Sequence, residues 1–342
     1  MVFSDTALHL YLHFLKDLRH VRNNISLTCS QVARTRLRLK EFLKTSNSTV
    51  SRVRYNRTHE ELLISVETRL AGRIDMAVKP EKPKNWNTVA IDFGDQIADA
   101  ERLEYASNPS ASVFATTRSG DAPSGFPNGV KWLSGIDLTK SNVGDNLTSQ
   151  LKGEKPLDVV IINAGRFTTE DFSAEKGPNW DEEVTMYTTS SIAPVFIAHS
   201  LVHAGFLKPG SKIILVSSEA GSITLRHEKE GGGNYAHHAS KAALNMAGKL
   251  LAIDLKEKGI IISIIHPGFM RTEMTKGVGF DKHWDAGGAV TPEVAAKSLV
   301  EWTDKLDISK SGEYWAPRGP RDIGMAETVM GKNLDTPLKL PW

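Results

Sequence analysis

Asn234-Tyr235-Ala236-His237-His238-Ala239-Ser240-Lys241-Ala242-Ala243-Leu244-Asn245 is the stretch from which the fold of this chain can be read. Its alanines, leucine and lysine favour helix. Leu244, Ala247, Leu251 and Leu255 recur at a spacing that puts them on one face, so the periodicity predicts a helix over about 235–258, stopped by Gly259. On that helix His237 and Lys241 stand one turn apart and share a face. Tyr235 precedes Lys241 by six residues and is displaced from it by roughly 240°.

On both sides of this helix, strand-like and helix-like segments alternate. Thr88 to Phe93, Ser112 to Arg118, Val130 to Ile136, Leu157 to Ile162, Ile213 to Val216, Ile260 to Ile265 and Gly312 to Trp315 read as strands. Leu157 to Ile162 is apolar enough to be buried on both faces. Helical segments lie around Tyr105, over 180–203 and from Thr291-Pro292-Glu293, where a capping residue precedes a proline in the first turn. The fold class expected is therefore α/β: a doubly wound parallel sheet of Rossmann type over 87–342, with a poorly defined N-terminal extension over 1–86.

That extension is basic, through Arg34, Arg36, Arg38, Lys40, Lys44, Arg52, Arg54 and Arg57. It reads as a loosely ordered segment or as residues absent from the working protein. Residues 6–21 carry helical apolar spacing, and 77–84 has linker composition. A net charge of +2 argues against a polyanionic partner for the whole chain, and the basic stretch lacks the interleaved aromatics of a nucleic-acid surface. One cysteine, Cys29, rules out an internal disulfide framework. No apolar run reaches spanning length, so no membrane partner is expected and a cytoplasmic protein is the default.

The motifs fall in an order that resembles the short-chain dehydrogenase/reductases, and within them the C-factor-like reductases of sniffer/carbonyl-reductase type, including those of secondary metabolism. Asn163-Ala164-Gly165 follows the fourth strand, Ser217-Ser218-Glu219-Ala220-Gly221 the fifth, and His266-Pro267-Gly268-Phe269-Met270-Arg271-Thr272 the sixth. Each stands at the carboxyl end of a strand, where open α/β sheets bind ligands. The resemblance implies catalytic roles for Ser218 and Lys241, and for a tyrosine four before the lysine. That position holds His237, so His237 and Tyr235 both remain candidates for the acid/base. It further implies that Asp137, Asn163, Gly165, Lys241, Pro267, Gly268 and Thr272 contact a nicotinamide cofactor. Arg118, ending a strand that carries no acid there, suits the 2′-phosphate of NADP(H).

Two further departures stand out. The family's glycine-rich phosphate loop is replaced by Asp92-Phe93-Gly94-Asp95-Gln96-Ile97-Ala98-Asp99-Ala100-Glu101, whose acids would repel phosphate, and the family's relay asparagine is Ser190. The expectation is an NADP(H)-dependent oxidoreductase acting on a small-molecule carbonyl or alcohol, as a homodimer or homotetramer. The alternative is a member that kept the fold, lost the chemistry and serves as a binding or scaffold protein. His237-His238 lacks partners at ligand spacing, so no metal site is expected. The loop from Lys276 to Trp284 should cover the substrate, with Phe280 and Trp284 favouring an apolar or aromatic one.

Overall fold

The computed structural model describes residues 50–57, 62–68, 72–78, 87–91, 100, 104–108, 110–118, 120, 129–175 and 177–342. The chain divides into two compact units, Met1–Lys84 and Asn85–Trp342. In the first, β1 (Val50–Arg57), β2 (Leu62–Thr68) and β3 (Gly72–Val78) form an antiparallel sheet in the order β1-β2-β3. This sheet was not expected from the sequence, and β3 takes in Ala77 and Val78 from the linker-like stretch. The helical spacing over 6–21 lies outside the described residues.

In the second unit, β4 (Asn87–Ile91), β5 (Ser112–Thr117), β6 (Val130–Ser134), β7 (Leu157–Ile162), β8 (Leu207–Val216), β9 (Ile261–Ile265), β10 (Glu313–Ala316) and β11 (Leu338–Lys339) make one sheet. Its order is β11-β10-β9-β8-β7-β4-β5-β6, parallel throughout except for β11, which runs antiparallel to β10. The chain winds outward from β4 to β6, then returns to place β7 on the other side of β4. That reversal opens a crevice at the carboxyl ends of the strands. The doubly wound parallel sheet is as expected, and β11 adds an antiparallel edge that no sequence signal announced.

Helices α1 (Val143–Gln150), α2 (Trp180–Tyr187), α3 (Ala193–His203), α4 (Tyr235–Leu255), α5 (Glu273–Gly277), α6 (Pro292–Lys305) and α7 (Ala326–Met330) connect the strands. Among the described residues, no helix is long and apolar enough to cross a membrane. Strand periodicity sorts the core onto the two faces of the sheet. Val160 and Ile162 of β7 pack with Ile197 of α3 and Leu244 of α4, whereas Val159 and Ile161 pack with Leu299 and Trp302 of α6. A strand whose one polar residue is Asp158 is thus covered on both sides.

The helix expected over 180–203 is two helices joined by a π turn at Thr188–Ile192. Pro194 has no amide hydrogen to give the carbonyl one turn back, so the hydrogen-bond ladder shifts there. Helix α4 begins at Tyr235, as its composition requires, and Gly259 (φ 67°) takes the left-handed turn that leads into β9.

Gly248 lets α4 lie close against the sheet: a methyl group there would meet Ile264 Cγ1 at 2.6 Å and Leu215 Cδ1 at 2.9 Å. Gly248→Val is expected to overpack this contact and cost about 1–3 kcal/mol, read from the urea midpoint. An unchanged midpoint would show that α4 has room to lift.

Candidate active site

A cavity of about 660 Å³ opens at the carboxyl ends of β7, β8 and β9. Its walls come from the turns that follow those strands, from the first turns of α4 and from the loops around Phe280 and Asp322. Asn163, Gly165, Ser218, His237, Lys241, Pro267 and Gly268 all line it. Arg118, Asp137, Tyr235 and Thr272 do not.

Lys241 is buried, and its Nζ donates to the Val216 carbonyl at 2.8 Å. A methyl group built on Gly165 would stand 3.4 Å from Lys241 Nζ and 3.9 Å from Ser190 Oγ, so lysine, serine and the Asn-Ala-Gly turn meet at one point. Ser190 lies in the π turn, fully buried, with its hydroxyl unpartnered. Asn163 Nδ2 is also buried without a partner.

Two contacts set Ser218, and a third holds the residue before it. Ser218 Oγ accepts from the Ala220 amide at 3.2 Å, which leaves its hydroxyl hydrogen available. Its carbonyl accepts from the Tyr314 hydroxyl, and Tyr314, fully buried, stacks on Trp342 at 5.8 Å. Neighbouring Ser217 donates to Asn245 Oδ1 at 2.6 Å and ties the strand end to α4. Burial pushes the Tyr314 hydroxyl far above the usual phenol range, so it stays a donor.

The first turn of α4 separates the two acid/base candidates. Tyr235 is 41% exposed and meets Phe172 edge-on at 6.3 Å, away from the cavity. His237 stacks on Phe167 with ring centroids 4.1 Å apart, and its Nδ1 is buried without a partner. Burial first, then the charge of Lys241, lowers its pKa to about 3. The ring is therefore neutral near pH 7: it offers one N–H and one lone pair, and cannot act as a stored imidazolium. His266 accepts from the Glu219 amide at Nδ1, 3.0 Å, and burial pushes its pKa down too.

These shifts make the fold sensitive to acid. An unfolded histidine binds its proton near pH 6.5, whereas folded His237 stays neutral down to about pH 3. Its contribution is complete above the unfolded value and is lost as pH falls through that window, at about 1.4 kcal/mol per pH unit. His237→Phe is expected to flatten the decline in stability between about pH 6.5 and 5 by close to one proton, measured by urea unfolding. An equally steep decline in the variant would place the acid sensitivity in other groups.

The remaining expected residues lie elsewhere. Asp137 follows β6 and accepts from Thr139 at its amide (2.9 Å) and hydroxyl (2.8 Å). Burial works to raise its pKa, but those hydrogen bonds and the charges of Lys140 and Arg118 outweigh it and hold the carboxyl below its usual value. Arg118 follows β5 and is exposed. Thr272 is buried and caps α5, accepting from the Thr275 amide at 3.2 Å. Phe280 lines the cavity, whereas Trp284 turns to donate to Thr275 Oγ1. The phosphate-loop stretch 92–99 and 101 lies outside the described residues. Phe167, Arg226 and Arg321 also line the cavity, and the sequence reading singled out none of them. Phe167 follows the Asn-Ala-Gly turn by two residues and could have been found by its place. Arg226 and Arg321 sit on irregular loops and carry no comparable signal.

Comparison with known proteins agrees with this geometry. The model of the short chain dehydrogenase family matches residues 129–282. The C-signal protein of Myxococcus xanthus is 30% identical over 166 residues, covering 48% of this chain and 90% of that protein. A 1-hydroxy-2-glutathionyl-2-methyl-3-butene dehydrogenase of Rhodococcus sp. (strain AD45) is 28% identical over 188 residues, 54% of this chain and 77% of that one. Among solved structures, the carbonyl reductase Sniffer of D. melanogaster superposes with a TM-score of 0.54 at 20% identity, over 75% of this chain and all of that one (100%). An NADPH-bound carbonyl reductase from chicken fatty liver does so with 0.55 at 23%, over 68% and 97%. The chain belongs to the short-chain dehydrogenase/reductase family and is an oxidoreductase.

Proposed function

We propose that this oxidoreductase uses NADP(H) to interconvert a small-molecule carbonyl compound and its alcohol. The observation that carries this reading is the convergence of Ser218, His237 and Lys241 on one cavity at the carboxyl edge of the sheet. The residues present fit the nicotinamide end of such a cofactor. Asn163 Nδ2 and Ser190 Oγ are buried and unpartnered beside Lys241, and bare Gly165 keeps the approach to its ammonium open. Lys241, Asn163 and Gly165 would hold the ribose, with Pro267 and Gly268 against the ring. Arg118 would take the 2′-phosphate, and Asp137 would lie toward the adenine. Thr272 would serve by fixing the loop, since its hydroxyl is occupied in capping α5. One solved neighbour, the chicken carbonyl reductase, carries NADPH.

When bound, the nicotinamide supplies a hydride to the carbonyl carbon. The protein's part is to fix and protonate the oxygen. The Ser218 hydroxyl donates to it, and neutral His237 presents its N–H. As that oxygen gains charge, one nitrogen of His237 gives up its proton while the other takes one from the Lys241 ammonium. Tyr235, turned toward Phe172, stays outside this relay. The exposed side chains of Phe196 on α3 and of Met246, Leu250 and Ile253 on α4 support a homodimer or homotetramer packed through these helices.

The direct test is titration of the protein with NADPH by tryptophan fluorescence, followed by turnover with a panel of aldehydes and ketones. Saturable binding with NADPH-dependent reduction is expected; absence of binding would overturn the reading. NADPH is expected to bind about tenfold more tightly than NADH, and Arg118→Ala to remove most of that difference. Tighter NADH binding would refute the role of Arg118.

A further inference from the structure

We infer that the substrate is an aromatic carbonyl compound bearing a carboxylate, and that Arg321 at the cavity mouth receives the acid; this rests on the oxidoreductase reading above. The cavity is large enough for a ring and a tail beyond the reacting carbonyl. One wall is built of rings: Phe167 stacks on His237 at 4.1 Å, and Phe280 meets Phe167 edge-on at 5.7 Å. A planar aromatic group lying along this wall would gain offset and edge contacts that an aliphatic chain would not.

Charge at the cavity decides the rest. Arg166 is paired with Glu182 at 2.7 Å, Arg226 with Glu219 and Glu230, and Asp322 Oδ2 with Arg318 and the Phe269 amide, its Oδ1 being buried without a hydrogen-bond partner. Arg321 lines the same cavity, is exposed, and has no hydrogen bond or ion pair among the described residues. Its backbone is nonetheless fixed. Asp322, next to it, is buried and accepts from the Phe269 amide at 3.0 Å and from Arg318 at 3.2 Å, and the Arg321 carbonyl lies close to Gly288. An anchored main chain carrying an unpaired guanidinium at the rim presents a fork that matches a carboxylate in two places. The anion could also be a cofactor phosphate, and the experiment separates the two sources.

The probes are para-formylbenzoate and its methyl ester, which share ring and aldehyde and differ in charge. Both are titrated calorimetrically into protein saturated with NADP⁺. The acid is expected to bind about fivefold more tightly than the ester. Arg321→Gln should bring the two affinities together and Arg321→Glu should reverse their order, while the ester binds alike in all three proteins. Equal binding of acid and ester by the wild type, or a preference that survives Arg321→Gln, would overturn the inference. Weaker NADP⁺ binding in Arg321→Gln with the acid preference intact would assign the guanidinium to the cofactor instead. Failure of the wild type to take NADP⁺ would remove the cofactor reading, and the same pair of probes titrated into the protein alone would still decide the role of Arg321.

Discussion

Lys241→Met is expected to lower turnover at least about a hundredfold and to weaken NADPH binding about tenfold or more. The ammonium is buried, is held by the Val216 carbonyl at 2.8 Å, and stands where the Gly165 turn and Ser190 converge. Methionine keeps most of the length and apolar stem but cannot donate, so the cofactor ribose loses a partner and His237 loses its proton source. The fold should tolerate the change, because the lost hydrogen bond is offset by no longer burying a charge. Tryptophan quenching by NADPH and the rate of its consumption measure the two effects. Unchanged values for both would remove Lys241 from the site's chemistry.

The second large effect concerns the first turn of α4. His237→Phe should reduce turnover about a hundredfold, since a positioned general acid or base commonly contributes that much. Tyr235→Phe should leave turnover within about a factor of two, as a change at an exposed ring that does not line the cavity. Phenylalanine preserves the stack on Phe167, so a loss in His237→Phe reports the ring nitrogens rather than packing. Loss in Tyr235→Phe alone would reverse the assignment, and activity surviving both changes would take the proton transfer away from this helix.

Much of this could be read in the sequence, because local rules and tertiary demands agree over most of the second unit. Leu157–Ile162 emerged as a strand at its full length, since a run in which Asp158 is the one polar residue suits a strand covered on both faces. The placing of His237 and not Tyr235 toward Lys241 followed from helical phase alone. The π turn was hidden because Pro194 reads either as a kink in a helix or as the start of one. The sheet over 50–78 was hidden by basic residues interspersed among its valines and leucines, which made composition a stronger signal than alternation. Asn163, Gly165, Ser218, Pro267 and Gly268 reach the cavity from the ends of β7, β8 and β9, whereas Arg118, Asp137 and Thr272, also read from strand ends, do not line it. Arg226 and Arg321 reach the cavity through irregular loops, whose course is set by contacts such as Asp322 with the Phe269 amide, far away in the chain.

The strand order also bears on the timing of folding. β4 lies between β5 and β7, so one of its two partners, β7, emerges from the ribosome long after it does. While the chain is being made, β4, β5 and β6 can associate, but one edge of β4 stays unpaired until β7 arrives, and the face that α4 covers stays bare until later still. Parallel pairings between distant segments form slowly and leave apolar surface open meanwhile. A ribosome stalled before about residue 265 would therefore display a sheet with a raw edge and no cavity. The nascent chain is expected to depend on chaperones most heavily between the emergence of β6 and that of α4.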